Sequence, residues 1–311
     1  MAEAVVKKIL VLGAPADQGI PLLSALKARD LELTAGVRRP GAMATTPHPD
    51  VPEVAADLYD VACLTAAFSD HDALAMHLPF EFDRERAATM GRNIAEAASA
   101  AGLRKIVFST SCFVADRDLG LSAHDGRRDI ERAIHESGVP YVIIEPMVFM
   151  DNICRIWSRP AIVNSGVFAY PAAEALKISW VCLEDVAAYM VSALLHEDLI
   201  ADRIAVGGPE ALVGAEVAEH LSVAAGRPVR FQSLSPDEFA AQMSELVTGS
   251  RDVQPASIYD GMAKFYRWYN EQAVSPLALD AVPAARLLGV TPTPFAEWAK
   301  RQDWSPVKVP A

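Results

Sequence analysis

An α/β fold, with a doubly wound parallel sheet and a smaller, mostly helical C-terminal region, is what this sequence predicts. Three observations carry that expectation. From residue 8 to about 145, short β-branched runs alternate with longer helical patterns, which reads as repeated strand–helix–strand units on a parallel sheet. The first strand runs straight into the turn Gly13-Ala14-Pro15-Ala16-Asp17-Gln18-Gly19. Beyond residue 146 the alternation loosens into helical segments rich in aromatics.

The first strand, 8–12, is the apolar run Ile9-Leu10-Val11-Leu12 behind Lys8. A helix follows the glycine turn, then a second strand, 31–37, that ends in Val37-Arg38-Arg39-Pro40. This order makes the Rossmann unit that cradles a dinucleotide, with the pyrophosphate against backbone N–H groups at the helix N-terminus. An acidic residue closing the second strand would bond the ribose 2′-OH of NAD. Arg38 and Arg39 stand there instead, suited to the 2′-phosphate of NADP(H). The spacing is G-x-x-A-x-x-G, with Ala16 where glycine allows the closest backbone approach. The competing reading is an ordinary strand-to-helix turn with two solvated arginines.

Further strands are expected at 54–56, 73–76, 105–108 and 141–144, with helices at Arg84–Ala101 and 123–137. Gly102 and Gly138 supply C-cap signals. Ile130 and Ile134, one turn apart, are expected to face the sheet. Later come a strand at 178–181, a helix at 184–195, a last core strand at 203–206, a helix at 213–225 and a strand at 229–234. Ser235-Pro236-Asp237-Glu238 is a helix start with an N-cap serine and proline at the first helical position. It is expected to open one long helical segment over 239–270, and a short helix follows at Phe295–Lys300. The expected division is a dinucleotide-binding domain at 1–150 and a substrate region at 151–311, interleaved with the last core strands at about 178–208.

The 311 residues are 51% hydrophobic and carry a net charge of −12, which argues against nucleic acid as a general partner. Cys63, Cys112, Cys154 and Cys182 show no C-x-x-C spacing, so neither a zinc site nor a disulfide framework is expected; they read as reduced core thiols. No His/Asp/Glu cluster has metal-ligand spacing. No apolar run reaches the ~18 residues of a membrane span, and no signal peptide is evident, so a cytoplasmic protein is expected.

The order of motifs resembles the NmrA-like branch of the atypical short-chain dehydrogenase/reductases across nearly the whole chain. The pieces are the glycine turn, Val37-Arg38, Ala56-Asp57-Leu58, Leu78-Pro79, Ala100 to Ser109, Ser137-Gly138-Val139-Pro140-Tyr141, Glu145-Pro146 with Phe149-Met150-Asp151-Asn152, Glu184-Asp185-Val186-Ala187, and Gly207-Gly208-Pro209-Glu210. The resemblance implies that Gly13, Pro15, Ala16, Asp17, Gln18 and Gly19 take the pyrophosphate and that Arg38 and Arg39 hold the 2′-phosphate. Asp57 and Leu58 would lie by the adenine, and Leu78 and Pro79 beside the nicotinamide-side ribose; His77, just before them, reads either as reaching the cofactor or as a strand-end histidine satisfied by backbone. Ser109, Thr110 and Ser111 would line the nicotinamide pocket, with Arg127, Pro146 and Met147 also toward the cofactor. Cys112, Phe149, Asn152, Trp157 and Tyr170 would shape the substrate cavity, although packing alone also accounts for Trp157 and Tyr170, and an inert thiol for Cys112.

Carbonyl-reducing short-chain dehydrogenases present Tyr-x-x-x-Lys, and no tyrosine here is followed by lysine four residues later. Many NmrA-like reductases carry a lysine on the corresponding helix. Here the segment reads His124-Asp125-Gly126-Arg127-Arg128-Asp129-Ile130-Glu131, with Arg127 at that position. Arginine binds anions but is a poor general acid. A working site would use His124 as acid, Arg127 as electrostatic clamp, and Ser109 or Ser111 to orient the substrate. The alternative is a solvated helix face on which Glu131 pairs intrahelically.

The leading expectation is an NADPH-dependent reductase of a small aromatic or conjugated substrate: a quinone, enone, lignan or related ether. The alternatives are an NADP(H)-binding redox sensor acting through a protein partner without turnover, and an isomerase or lyase that uses the cofactor transiently. The expected partners are a small-molecule substrate and, at most, a second copy of the chain in a homodimer.

Overall fold

A computed structural model describes residues 6–307. Its strands are β1 (Lys8–Leu12), β2 (Glu32–Val37), β3 (Glu53–Ala55), β4 (Ala73–His77), β5 (Lys105–Ser109), β6 (Tyr141–Pro146), β7 (Val148–Phe149), β8 (Val167–Tyr170), β9 (Trp180–Val181), β10 (Ala201–Val206) and β11 (Arg230–Ser233). The helices are α1 (Gly19–Lys27), α2 (Val61–Phe68), α3 (Arg84–Ala101), α4 (Ser122–Glu136), α5 (Arg159–Ser165), α6 (Leu183–Leu195), α7 (Gly214–Ala225), α8 (Pro236–Thr248), α9 (Ile258–Glu271), α10 (Val282–Leu288) and α11 (Phe295–Lys300).

The chain forms two compact units. The first holds the residues up to Pro146, then Leu183–Val206 and Pro283–Thr291; the second holds Met147–Cys182, Gly207–Val282 and the chain from Pro292 onward. Seven strands of the first unit pair in the order β10-β6-β5-β4-β1-β2-β3, every pair parallel. This is the predicted doubly wound sheet. Apart from Lys8, His77, Lys105 and Ser109 at their ends, the central strands β1, β4 and β5 are apolar, as suits a sheet covered by helices on both faces. One face packs Leu10, Leu74, Ile106 and Ile143 against Leu64, Phe68, Ile94, Ile130 and Ile134 of the helices. Ile130 and Ile134 are fully buried, as their spacing predicts.

The second unit is built around aromatic rings rather than a large sheet. Tyr170 lies 5.1 Å from Trp180 and 5.7 Å from Tyr266, ring centre to ring centre. Among the described residues its named strands pair as β8 with β11 and β7 with β9. Ser235 caps α8 as predicted, its hydroxyl accepting from the Glu238 N–H at 3.1 Å. The expected single helix over 239–270 is two helices. Gly249, with φ +77°, ends α8 in the left-handed conformation, Pro255 lies in the connection, and Ser257 caps α9.

Among the described residues no helix is long and apolar enough to cross a membrane. All four cysteines are free thiols, but only Cys182 is buried; Cys63, Cys112 and Cys154 are half-buried, so the expectation of four core thiols is corrected.

Candidate active site at the carboxyl edge of the sheet

Strand register places the predicted residues on one edge of the sheet. His77 in β4 pairs with Ser109 in β5, and Leu12, the last residue of β1, pairs with Met76. Gly13 follows with φ +83°, and a Cβ there would sit 2.6 Å from the His77 ring. A Cβ on Gly19 would run into the carbonyl oxygens of Gly13 and Ala14. Both glycines are therefore steric requirements of a closely wound turn. Ala16, the departure from the glycine pattern, is exposed, and its carbonyl accepts from the N–H groups of Gly19 and Ile20 at 2.9 and 3.1 Å. Asp17 is exposed as well.

A cleft of about 710 Å³ opens beside this turn. Gly13, Pro15, Arg38, Arg39, Asp57, Leu58, His77, Leu78 and Pro79 line it, so half of the residues expected at a dinucleotide meet in one place. Arg38 and Arg39 are exposed, and neither forms an ion pair among the described residues. The sequence reading missed Tyr59, Glu81, Arg86 and Met90, which also line the cleft. Arg86 donates to Glu81 at 3.0 Å and stands 5.3 Å over the Tyr59 ring. A cradle that excludes a Cβ, with two cations left without a protein counter-ion, fits a dinucleotide carrying a 2′-phosphate.

The turn also reaches β5. Gln18 Nε2 donates to the Ser111 hydroxyl at 2.9 Å, and the Ser109 hydroxyl donates to Gln18 Oε1 at 3.3 Å. Ser111 has φ +65°, a conformation rare outside glycine and asparagine and costly to hold. Thr110, expected to line the nicotinamide pocket, is turned inward instead. It is fully buried, with its N–H on Ile144 and its hydroxyl donating to the Cys112 carbonyl at 2.7 Å. Burial pushes the Cys112 thiol up to about 12, so it stays protonated.

The helix face of His124 and Arg127 is not solvated. The two residues are 1% and 2% exposed. Arg127 Nη2 donates to the carbonyls of Leu78 and Pro79 at 2.8 and 2.9 Å, and the guanidinium lies 5.0 Å over the Phe80 ring. Its Nη1 is buried without a hydrogen-bond partner, and no carboxylate pairs with it among the described residues. A buried guanidinium in that condition is suited to an electron-rich group. Glu131, which the solvated-face alternative pairs within its own helix, faces Arg203 at 3.8 Å.

Burial, reinforced by the Arg127 charge, lowers His124 to about 4, so its ring is neutral at pH 7 and offers a proton only as the weak N–H of a neutral imidazole. His77 is likewise lowered to about 4 by burial. Its Nε2 bonds the Gly13 carbonyl at 2.9 Å, and since a carbonyl only accepts, Nε2 carries the proton.

These two histidines predict an acid-sensitive fold. Between pH 6.5 and about 4 the unfolded chain binds protons at both that the folded chain refuses. The stability they contribute is complete above pH 6.5 and is lost as pH falls toward 4. The loss is about 2–3 kcal/mol per histidine by pH 4.5. Urea unfolding at pH 7 and pH 4.5 measures it; His124→Gln should remove about half of the difference, and a stability independent of pH over that range overturns the assignment.

The remaining predicted residues are spread along the chain. Pro146 ends β6 and Met147 is buried at the start of the second unit. In that unit Phe149 lies in β7, Asn152 in the short 3₁₀ turn Met150–Cys154, and Trp157 is 37% exposed. Tyr170 is 2% exposed with its hydroxyl 2.8 Å from that of Tyr266, so it packs the core and presents no face to a substrate.

The sequence pattern described as the NmrA-like family matches residues 6–299. An NAD(P)H azoreductase from Xenophilus azovorans is 31% identical over 94% of this chain and 96% of its own length. A (4-alkanoyl-5-oxo-2,5-dihydrofuran-3-yl)methyl phosphate reductase from Streptomyces griseus is 30% identical over 77% of this chain and 79% of its own. Among solved structures, an NADPH-dependent quinone oxidoreductase from Escherichia coli complexed with NADPH superposes with a TM-score of 0.77. It shares 24% identity over 94% of this chain and 98% of that one.

Proposed function

The chain belongs to the NmrA-like family, and on that premise we propose that it reduces flat, conjugated acceptors of the quinone, azo or enone class with NADPH. It is an NADP(H)-dependent oxidoreductase. The observation that carries the reading is the cleft at the carboxyl edge of the sheet. A turn that admits no side chain at 13 or 19 meets two arginines at the end of β2 there, with a buried guanidinium on α4 in the same unit, and none of the three has a carboxylate partner among the described residues. Relatives whose names state reduction of azo and quinone compounds support the choice of acceptor.

Gly13, Pro15 and Gly19 would take the pyrophosphate, Arg38 and Arg39 the 2′-phosphate, and Asp57 with Leu58 the adenosine. His77, Leu78 and Pro79 would lie along the nicotinamide ribose. When bound, the reduced nicotinamide supplies the hydride. Reduction of a quinone by hydride leaves negative charge on an oxygen. The dehydrogenase tyrosine is absent and His124 is neutral, so this chain answers that charge with a permanent cation, Arg127, rather than with a proton. Solvent then supplies the proton that completes the quinol. Ser109, Ser111 and Gln18 would orient the acceptor.

The direct test follows NADPH oxidation at 340 nm with a naphthoquinone, an azo dye and a butenolide as acceptors. Turnover of at least one with a marked preference for NADPH over NADH is expected. Tight NADPH binding with no turnover on any of them would overturn the reductase reading in favour of a cofactor sensor.

A further inference from the structure

Glu145, the penultimate residue of β6, and Arg203 in β10 are paired across neighbouring strands, with Nε donating to Oε2 at 2.8 Å. Both also reach a third residue that belongs to no strand. The Val114 N–H donates to Glu145 Oε1 at 2.8 Å, and Arg203 Nη2 donates to the Val114 carbonyl. Val114 is 1% exposed, so its backbone groups need partners inside the protein. The ion pair presents one acceptor and one donor to it, as an adjacent strand would. A further arm, Nη1, donates to Asp116 at 3.0 Å. The segment held in this way begins at Ser111, whose left-handed backbone must be maintained by its surroundings, and Ser111 is the residue that meets Gln18 of the glycine turn.

We propose that Glu145 and Arg203 are a positioning pair for the reduction site, fixing the segment from Ser111 to Asp116 so that Ser111 keeps its place against Gln18. What that segment faces rests on the reductase reading; the clamp itself does not. An arginine is required because a single planar fork serves a carboxylate, a carbonyl and a second carboxylate at once, which an ammonium group does not.

The charged and titratable groups around Glu145 are Arg203 from β10, Asp116 and Cys112 from the segment itself, and Glu131 from α4. Burial pushes the Glu145 carboxyl up and Arg203 pulls it down. Without the cation, burial and the neighbouring acids all act in one direction, and protonation of Glu145 moves toward neutral pH.

Arg203→Met in the full-length protein tests the clamp through three readings. Hydrogen exchange of the Val114 amide should quicken at least about tenfold, because its acceptor is no longer held. With a quinone acceptor, kcat should fall about 10- to 100-fold while the NADPH dissociation constant, read by calorimetry, stays within about twofold. The acidic limb of the kcat profile should move toward neutral pH. Arg203→Lys should not restore kcat, because an ammonium group does not serve the Glu145 carboxylate and the Val114 carbonyl in one planar fork. If Arg203→Met does not fold, Glu145→Gln keeps the side-chain volume, removes the charge and should give the same loss of kcat and faster Val114 exchange. Unchanged exchange at Val114, or an NADPH affinity that falls in step with kcat, overturns the proposal. A wild-type protein that reduces no acceptor refutes the reductase reading alone; Val114 exchange then decides the clamp.

Discussion

Replacing Arg38 and Arg39 together by alanine will weaken NADPH by about a hundredfold or more while leaving NADH within about threefold. Both side chains stand at the end of β2 on the wall of the cleft, and no carboxylate neutralises either among the described residues. Charge-assisted hydrogen bonds to a phosphate are worth roughly 1.5–3 kcal/mol each, and exposure of the arginines puts the pair near the low end, about 3 kcal/mol in total. Calorimetric titration of both cofactors reads the difference. An equal loss for NADPH and NADH would mean that the arginines serve the fold or the pyrophosphate and not the 2′-phosphate.

Arg127→Met will separate activity from stability. On the proposed reading the Arg127 guanidinium would face developing oxyanion character, and loss of such a donor costs about 10²–10³ in kcat. Stability is pulled both ways. Removing an unpaired buried cation relieves a desolvation cost, whereas the Leu78 and Pro79 carbonyls lose their donor, at about 1–3 kcal/mol. The thermal midpoint should therefore move by only a few degrees while kcat collapses, with NADPH affinity changed far less than kcat. Arg127→Lys should retain part of the rate, because the charge survives although the fork does not. A wild-type kcat in Arg127→Met would remove the electrostatic role altogether.

The first unit was legible because its signals are local. Strand periodicity, C-cap glycines and the turn after β1 each act over a few residues, and β1, β4, β5 and β6 begin where the pattern places them. The cofactor wall was legible for the same reason, since Arg38 follows its strand at a fixed distance from the glycine turn. Tyr59, Glu81 and Arg86 were not, because they come from loops and a helix start that only the folded sheet brings together. The burial of Arg127 was equally hidden. Its helix carries charges on two faces, and what selects the inner one is a pair of carbonyls 48 and 49 residues earlier in the chain. The break between α8 and α9 is different: Gly249 and Pro255 mark it in the sequence, but helical patterning continues on either side and masks it.

The position of β10 has a consequence for how the protein is made. It is an edge strand whose sole neighbour in the sheet is β6, yet it comes after the chain has left to lay down part of the second unit. A growing chain on the ribosome thus completes six strands and then waits, on the order of 10 s, for the seventh. During that interval β6 is an open edge and Glu145 lacks its cation. Chains stopped before residue 201 should therefore be the ones that aggregate or are degraded, and release of the finished protein should depend on a strand that lies two-thirds of the way along the message.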